Sequence, residues 1–109
     1  MRRRNIKKLR EAIIKAKSNK TKAVAYYELG LFHDNNGREK EAIPNYERAL
    51  ELGLKKDLKS KALAWLGSSL YKIGKPRKAL NQIRQSGKIA NQKLRRFLNR
   101  LKARMEIHI

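Results

Sequence analysis

The chain has 109 residues with 40% hydrophobic content, 6 Gly, 2 Pro and no Cys, a length and composition suited to one domain with a modest core. No apolar run, Ala23 to Tyr27 included, exceeds five residues, too short to span a bilayer, and the absence of cysteine excludes disulfides and thiolate metal sites and points to a reducing, cytoplasmic setting. The net charge of +20 is unevenly spread: residues 1–22 carry ten Lys/Arg and one acid, residues 23–54 three and six, residues 55–109 sixteen and two. Such asymmetry suggests nucleic acid, an acidic protein or an anionic surface as partner, against the plainer reading of a solvated basic surface.

Residues 2–17 place Ile6, Leu9, Ile13 and Ala16 at spacings of 3, 4 and 3, one apolar stripe on a helix. Lys7, Lys8, Arg10, Lys15 and Lys17 lie mostly off it. Ser18, Asn19 and Thr21 then supply helix-breaking and capping chemistry. A second helix is expected from about Lys22 to Asn35, stopped by Asn36-Gly37, residue types that tolerate the left-handed backbone past helix ends. A third runs from about Arg38 to Leu52, with Glu39 and Glu41 opposing its positive end and Pro44 bending it slightly.

Residues equidistant from the turn between these helices form an apolar ladder. Ala23 and Ala49, Tyr26 and Tyr46, Leu29 and Ile43, Gly30 and Ala42 share the midpoint 36. Two antiparallel helices are therefore expected face to face, closest where glycine meets alanine. After the loop Gly53–Lys56, Asp57 is the expected cap of a fourth helix that ends at about Ile73, before Gly74. Pro76 heads a fifth helix, which Gly87 is expected to weaken near its end. Here the ladder has its midpoint at 73: Ser60 with Ser86, Leu63 with Ile83, Leu66 with Leu80, Gly67 with Ala79. The same hairpin occurs twice, 37 residues apart. A sixth helix, from about Ala90 to Met105, carries Leu94, Phe97, Leu98, Leu101 and Met105 on one face.

This pattern resembles the tetratricopeptide repeat, whose signature is W-x2-L-G-x2-Y, then A-x3-F, then P. The first unit reads Tyr26-x2-Leu29-Gly30-x2-His33, then Ala42-x3-Tyr46-x2-Ala49. The second reads Leu63-x2-Leu66-Gly67-x2-Leu70, then Ala79-x3-Ile83-x2-Ser86. The resemblance covers roughly residues 20–90. It implies an all-α fold, a right-handed α-α superhelix of stacked antiparallel hairpins with about six helices. The expected organisation is a single helical repeat domain over 1–109: a basic N-terminal helix at 1–18, repeats at 22–54 and 57–89, and a basic capping helix at 90–107.

The resemblance also implies a function, a scaffold that binds a peptide or partner helix in a groove lined by the first helix of each repeat. In this sequence the groove candidates are Val24, Tyr27, Leu31, Asp34 and Asn35, then Lys61, Ala64, Ser68, Tyr71 and Lys72. The competing assignment makes Val24, Tyr27 and Leu31 core residues packed on the N-terminal helix. A mixed groove with cations near Lys61 and Lys72 suits a partner segment with some acids. The alternative function is nucleic-acid binding without sequence preference, through Arg2, Arg3, Arg4, Lys7, Lys8, Arg10, Arg95, Arg96, Arg100 and Arg104 on the end helices. Either end helix is also a candidate homodimer face.

Chemistry beyond binding finds little support. His33 and His108 are the only histidines. His33 fills the signature position of a packing aromatic, and Asp34 points about 100° away around the helix. Glu28, Glu39, Glu41, Glu47 and Glu51 read as solvated helix faces without metal-ligand spacing. The chain is read as a non-enzyme, with no cofactor and no metal.

Overall fold

The computed structural model describes residues 5–106, which form six helices. They are α1 (Ile6–Lys15), α2 (Asn19–Asn35), α3 (Glu39–Leu52), α4 (Lys56–Lys72), α5 (Pro76–Ile89) and α6 (Gln92–Glu106). No strand occurs among the described residues, so the all-α expectation holds. The chain divides into two compact units, Met1–Leu54 and Lys55–Ile109, each with one hairpin and one flanking helix.

Local chemistry explains where the helices start. The Asn5 side chain accepts a hydrogen bond from the Lys7 amide at 2.9 Å and caps α1. Ser18 caps α2, which therefore begins at Asn19 rather than near Lys22. The Thr21 amide donates to Ser18 Oγ at 3.2 Å, and the Ser18 amide donates to Thr21 Oγ1 at 3.4 Å. This reciprocal pair satisfies two amides that the first helical turn leaves open. Asp57 is not a cap: α4 starts at Lys56, with Lys55 at the cap position, two residues before the expected one. Its carboxylate still lies in the first turn, where it opposes the positive helix end. Pro76 heads α5 as expected. Gly87 does not end that helix, which runs on to Ile89. The Leu94 amide donates to Asn91 Oδ1 at 2.9 Å, which sets the start of α6 at Gln92.

The two hairpin turns are built alike. Gly37 has φ +70° and Gly74 has φ +83°, the left-handed region that disfavours a Cβ. In the first turn the Gly37 amide donates to the Asp34 carbonyl and the Arg38 amide to the His33 carbonyl. In the second, the Gly74 amide donates to the Tyr71 carbonyl and the Lys75 amide to the Leu70 carbonyl. Both are Schellman turns, which satisfy carbonyls at the helix end while reversing the chain. Changing either glycine to alanine is expected to cost about 1–2 kcal/mol, the penalty for a left-handed L-residue. A thermal melt of Gly37→Ala or Gly74→Ala that overlays the parent would refute this.

In the first unit α2 packs on α3 and α1 packs on α2. Leu9, Ala23, Leu29, Ala42, Ile43, Tyr46 and Ala49 are buried there. In the second unit α4 packs on α5, α5 on α6, and α6 also touches α4. Leu63, Leu66, Leu70, Leu80, Ile83, Leu98, Leu101 and Met105 are buried. One ladder rung appears as a hydrogen bond, in which the buried Ser86 hydroxyl donates to the Ser60 carbonyl at 2.6 Å.

The first ladder needs a correction in its rotation about the helix. Gly30 does make a close approach, but to the Tyr46 ring: a Cβ built there would lie 2.6 Å from Tyr46 Cε1. The ring partner of Tyr46 is Tyr27, with centroids 6.1 Å apart, rather than Tyr26. Helical side chains lean toward the N-terminus and cover the turn before their own Cα. Tyr46 thus reaches back over the level of Ala42 and occupies the space opposite Gly30. At Gly67 a Cβ would meet Ile83 Cδ1 at 2.5 Å and the Ala79 carbonyl at 3.1 Å. Here the expected glycine–alanine approach is present alongside the reaching side chain.

Candidate functional site

Three features could carry function: the faces of α2 and α4, the basic surfaces of α1 and α6, and a notch between α4 and α6.

On α2, Val24, Leu31 and Asp34 are half-buried and Asn35 is exposed, whereas Tyr27 is only 6% exposed. Tyr27, Gly30 and Asp34 follow each other at spacings of 3 and 4, so they share one helix face. All three meet Tyr46. Tyr27 packs against its ring, Gly30 makes room for it, and Asp34 Oδ2 accepts its hydroxyl proton at 2.8 Å. A buried tyrosine needs a partner for its hydroxyl, and Asp34 provides one at the turn end of the hairpin. Tyr27 and Asp34 are therefore engaged with α3, while Val24, Leu31 and Asn35 supply most of the remaining surface. On α4, Lys61 and Lys72 are exposed, Ser68 and Tyr71 are half-buried, and Ala64 is completely buried.

The candidate cations fall into described and undescribed groups. Arg2, Arg3 and Arg4 lie outside the described residues, as does His108. Lys7, Lys8 and Arg10 on α1 are exposed, and so are Arg95, Arg96, Arg100 and Arg104 on α6. The surface ion pairs Arg48–Glu51 at 3.5 Å and Lys102–Glu106 at 4.0 Å use other side chains.

His33 takes the structural role expected from its position. It is 6% exposed, its Nδ1 is buried without a hydrogen-bond partner, and its ring meets Phe32 edge-on at 5.6 Å. Burial, chiefly, holds its pKa below the ordinary 6.5. The nearby Arg38 and Arg10 charges add to this, and Glu41 opposes them. Below pH 6.5 the unfolded chain therefore takes up a proton that the folded chain resists, so stability falls as the pH drops toward the lowered folded value. Thermal midpoints of the parent are expected to decline across that window, and His33→Phe is expected to remove that part of the decline. Identical pH profiles for the two proteins would rule out His33 as its source.

The notch is a feature that periodicity did not reveal. Lys61 and Trp65 of α4 line it with Asn91, Lys93, Leu94, Phe97 and Arg100, around a volume of about 380 Å³. Trp65 and Phe97 meet edge-on, with ring centroids 5.4 Å apart and planes at 65°. Both rings are half-buried. A smaller hollow of about 320 Å³ continues along α6 past Phe97, Arg100, Leu101 and Arg104. The sequence held one signal for it: Trp65 lies off the Leu63–Leu66–Gly67 stripe and so had no ladder partner.

Among the described residues no group of three His, Cys, Asp or Glu could hold a metal ion, and no described helix is long and apolar enough to cross a membrane. Compared with known proteins, residues 23–107 match the family model described as "Tetratrico peptide repeat". No curated protein matches the chain.

Proposed function

This chain belongs to the tetratricopeptide repeat family, and on that premise we propose that it is a protein-binding scaffold whose partner docks on the first helix of each hairpin. Family membership supports an interaction role in general, and members of this family are generally non-catalytic. The observation that carries the finer reading is the mixed, partly open character of both first helices. Val24, Leu31 and Asn35 give α2 an apolar surface with a polar end, whereas Lys61, Ser68, Tyr71 and Lys72 give α4 a cationic one. Such faces suit an extended or helical segment that buries a few apolar side chains and carries acids. A cytoplasmic setting is in keeping with the lack of cysteine.

The test is co-purification from the protein's own cells, with parent and surface variants side by side. Val24→Ser with Leu31→Ser alters α2, and Ser68→Glu with Lys72→Glu alters α4. A specific partner is expected with the parent and is expected to be depleted by either pair, with helicity unchanged by circular dichroism. A partner retained by both pairs would overturn the assignment to these faces.

Anionic-polymer binding through the end helices is the second reading, supported by the exposure of Lys7, Lys8, Arg10, Arg95, Arg96, Arg100 and Arg104. It requires steeply salt-dependent affinity for mixed-sequence RNA or DNA. Binding that vanishes at physiological salt would reduce it to a consequence of net charge.

A further inference from the structure

We propose that a cleft between α5 and α6 binds a small soluble phosphate monoester, a site that shares no residue with the scaffold faces or with the cations named for nucleic acid. Buried Ile83 and Leu98 form its floor. Its walls are Arg84, Gly87 and Lys88 on α5 and Asn99 and Lys102 on α6, around a volume of about 360 Å³. Arg84, Lys88 and Asn99 are exposed and Lys102 is half-buried. No acidic side chain lines the cleft. Glu106 stands 4.0 Å from the Lys102 ammonium, one turn further along α6, a surface contact of a kind that holds a lysine only weakly.

Gly87 points to a ligand independently of the charges. Glycine inside a helix is destabilising relative to alanine. At Gly30 and Gly67 a packed neighbour takes the place of the side chain, whereas a Cβ on Gly87 would meet nothing within 4 Å. Gly87 is not a turn glycine with positive φ, nor does it end α5. No contact within the described fold uses its missing side chain. Its effect is to keep the middle of the cleft open, so that a ligand can lie directly against the helix backbone.

Charge and size select the occupant. A phosphate monoester carries about −1.5 to −2 charges near neutral pH, with three acceptor oxygens. The Arg84 guanidinium can donate to two of them at once. Lys88 and Lys102 add point charges, and the Asn99 amide adds a neutral donor. The organic part then lies on Ile83, Gly87 and Leu98. A volume of about 360 Å³ falls at the small end of the range of about 300–1,000 Å³ typical of ligand clefts, which suits one compact molecule better than a stretch of polymer. A sulfate ester or a carboxylate brings only a single charge to the three cations and is held less tightly.

Phenyl phosphate is the probe, titrated by calorimetry at physiological salt, with amide chemical shifts to locate it. Saturable binding is expected, with the Gly87 and Asn99 amides among those that shift. At least a tenfold loss of affinity is expected for phenyl sulfate, for Arg84→Glu with Lys88→Glu, and for Gly87→Leu, which puts a side chain into the open space. Gly87→Leu is expected to melt no lower than the parent, so its loss of binding is not a loss of fold. The Arg84 and Lys88 pair alters only exposed side chains and stays informative if Gly87→Leu unfolds. Lys56→Glu with Lys59→Glu makes the same change in net charge at exposed positions of α4 and is expected to bind as the parent does. Several results would overturn the proposal. They are no saturable binding of phenyl phosphate, equal affinity for phenyl sulfate, parent-like affinity in a folded Gly87→Leu protein, or equal losses in the two charge-reversed pairs. A single-stranded RNA dodecamer and vesicles containing phosphatidic acid test the other sources of phosphate. Gly87→Leu is expected to leave both interactions unchanged. A tenfold loss of either through Gly87→Leu would give the cleft to a polymer or a bilayer and end the small-molecule assignment.

Discussion

Tyr46→Ala is expected to be the most damaging single change in the first unit, costing about 3–5 kcal/mol, as large aromatic truncations in cores do. Tyr46 is 0% exposed, and it is the residue on which the α2–α3 contact converges. Removing its ring takes away the tilted ring contact with Tyr27 and opens a void opposite Gly30, where glycine has no side chain to fill it. Tyr46→Phe separates packing from hydrogen bonding. It keeps the ring and loses the hydroxyl with its bond to Asp34, worth about 0.5–1.5 kcal/mol net. Asp34 is half-buried, so water can take the hydroxyl's place there. Thermal or urea unfolding of the two variants checks the ordering. Equal losses would mean that the hydrogen bond, rather than the ring, holds the hairpin.

The second large effect concerns three glycines that look equivalent on a helix-propensity scale. Gly→Ala in a helix interior should stabilise by about 1 kcal/mol. At Gly87, where an added Cβ meets nothing within 4 Å, that gain is expected in full. At Gly30 the sign reverses. The new methyl would lie 2.6 and 2.7 Å from two atoms of the Tyr46 ring, a rigid group held by Tyr27 and Asp34. Overpacking of this kind costs about 1–3 kcal/mol, which outweighs the propensity gain, and Gly30→Leu should separate the hairpin outright. Gly67→Ala is intermediate: Ile83 Cδ1 is the end of a flexible chain, but the Ala79 carbonyl at 3.1 Å is backbone. The expected order of melting temperature is Gly87→Ala above the parent, then Gly67→Ala, then Gly30→Ala. A Gly30→Ala protein more stable than the parent would end the close-packing account. Partial rescue of Gly30→Ala by Tyr46→Leu, beyond additivity, would locate the clash at that pair.

Much of this architecture was legible because it rests on local chemistry. The left-handed glycines at 37 and 74, the proline at 76 and the apolar stripes each act within a turn or two of their own position. They therefore marked helix number and turn positions from sequence. Rotation of one helix against its partner was not legible in the same way. Counting from the turn gives level but not azimuth, so it sets Tyr26 where Tyr27 stands and carries no sign of the bond between Asp34 and Tyr46. The Asp57 cap failed for a related reason, since a carboxylate can serve the helix end from inside the first turn as well as from the cap. The notch was hidden more deeply. It pairs α4 with α6, two helices separated by a whole intervening helix, and no periodicity in either one specifies the other.

The 37-residue echo also bears on how such a chain can change over generations. Its turns are interchangeable, because both are the same glycine-dependent Schellman geometry and neither depends on the residues packed beneath it. The packed positions are not. Where the first hairpin sets Tyr27, Asp34 and Tyr46 around a glycine, the second has Ala64, Tyr71 and Ile83 at the same offsets. Moving one residue of a set into the other hairpin would leave a void or a collision, so the members of a set must be exchanged together to keep the packing intact, whereas the outward faces can be changed one residue at a time.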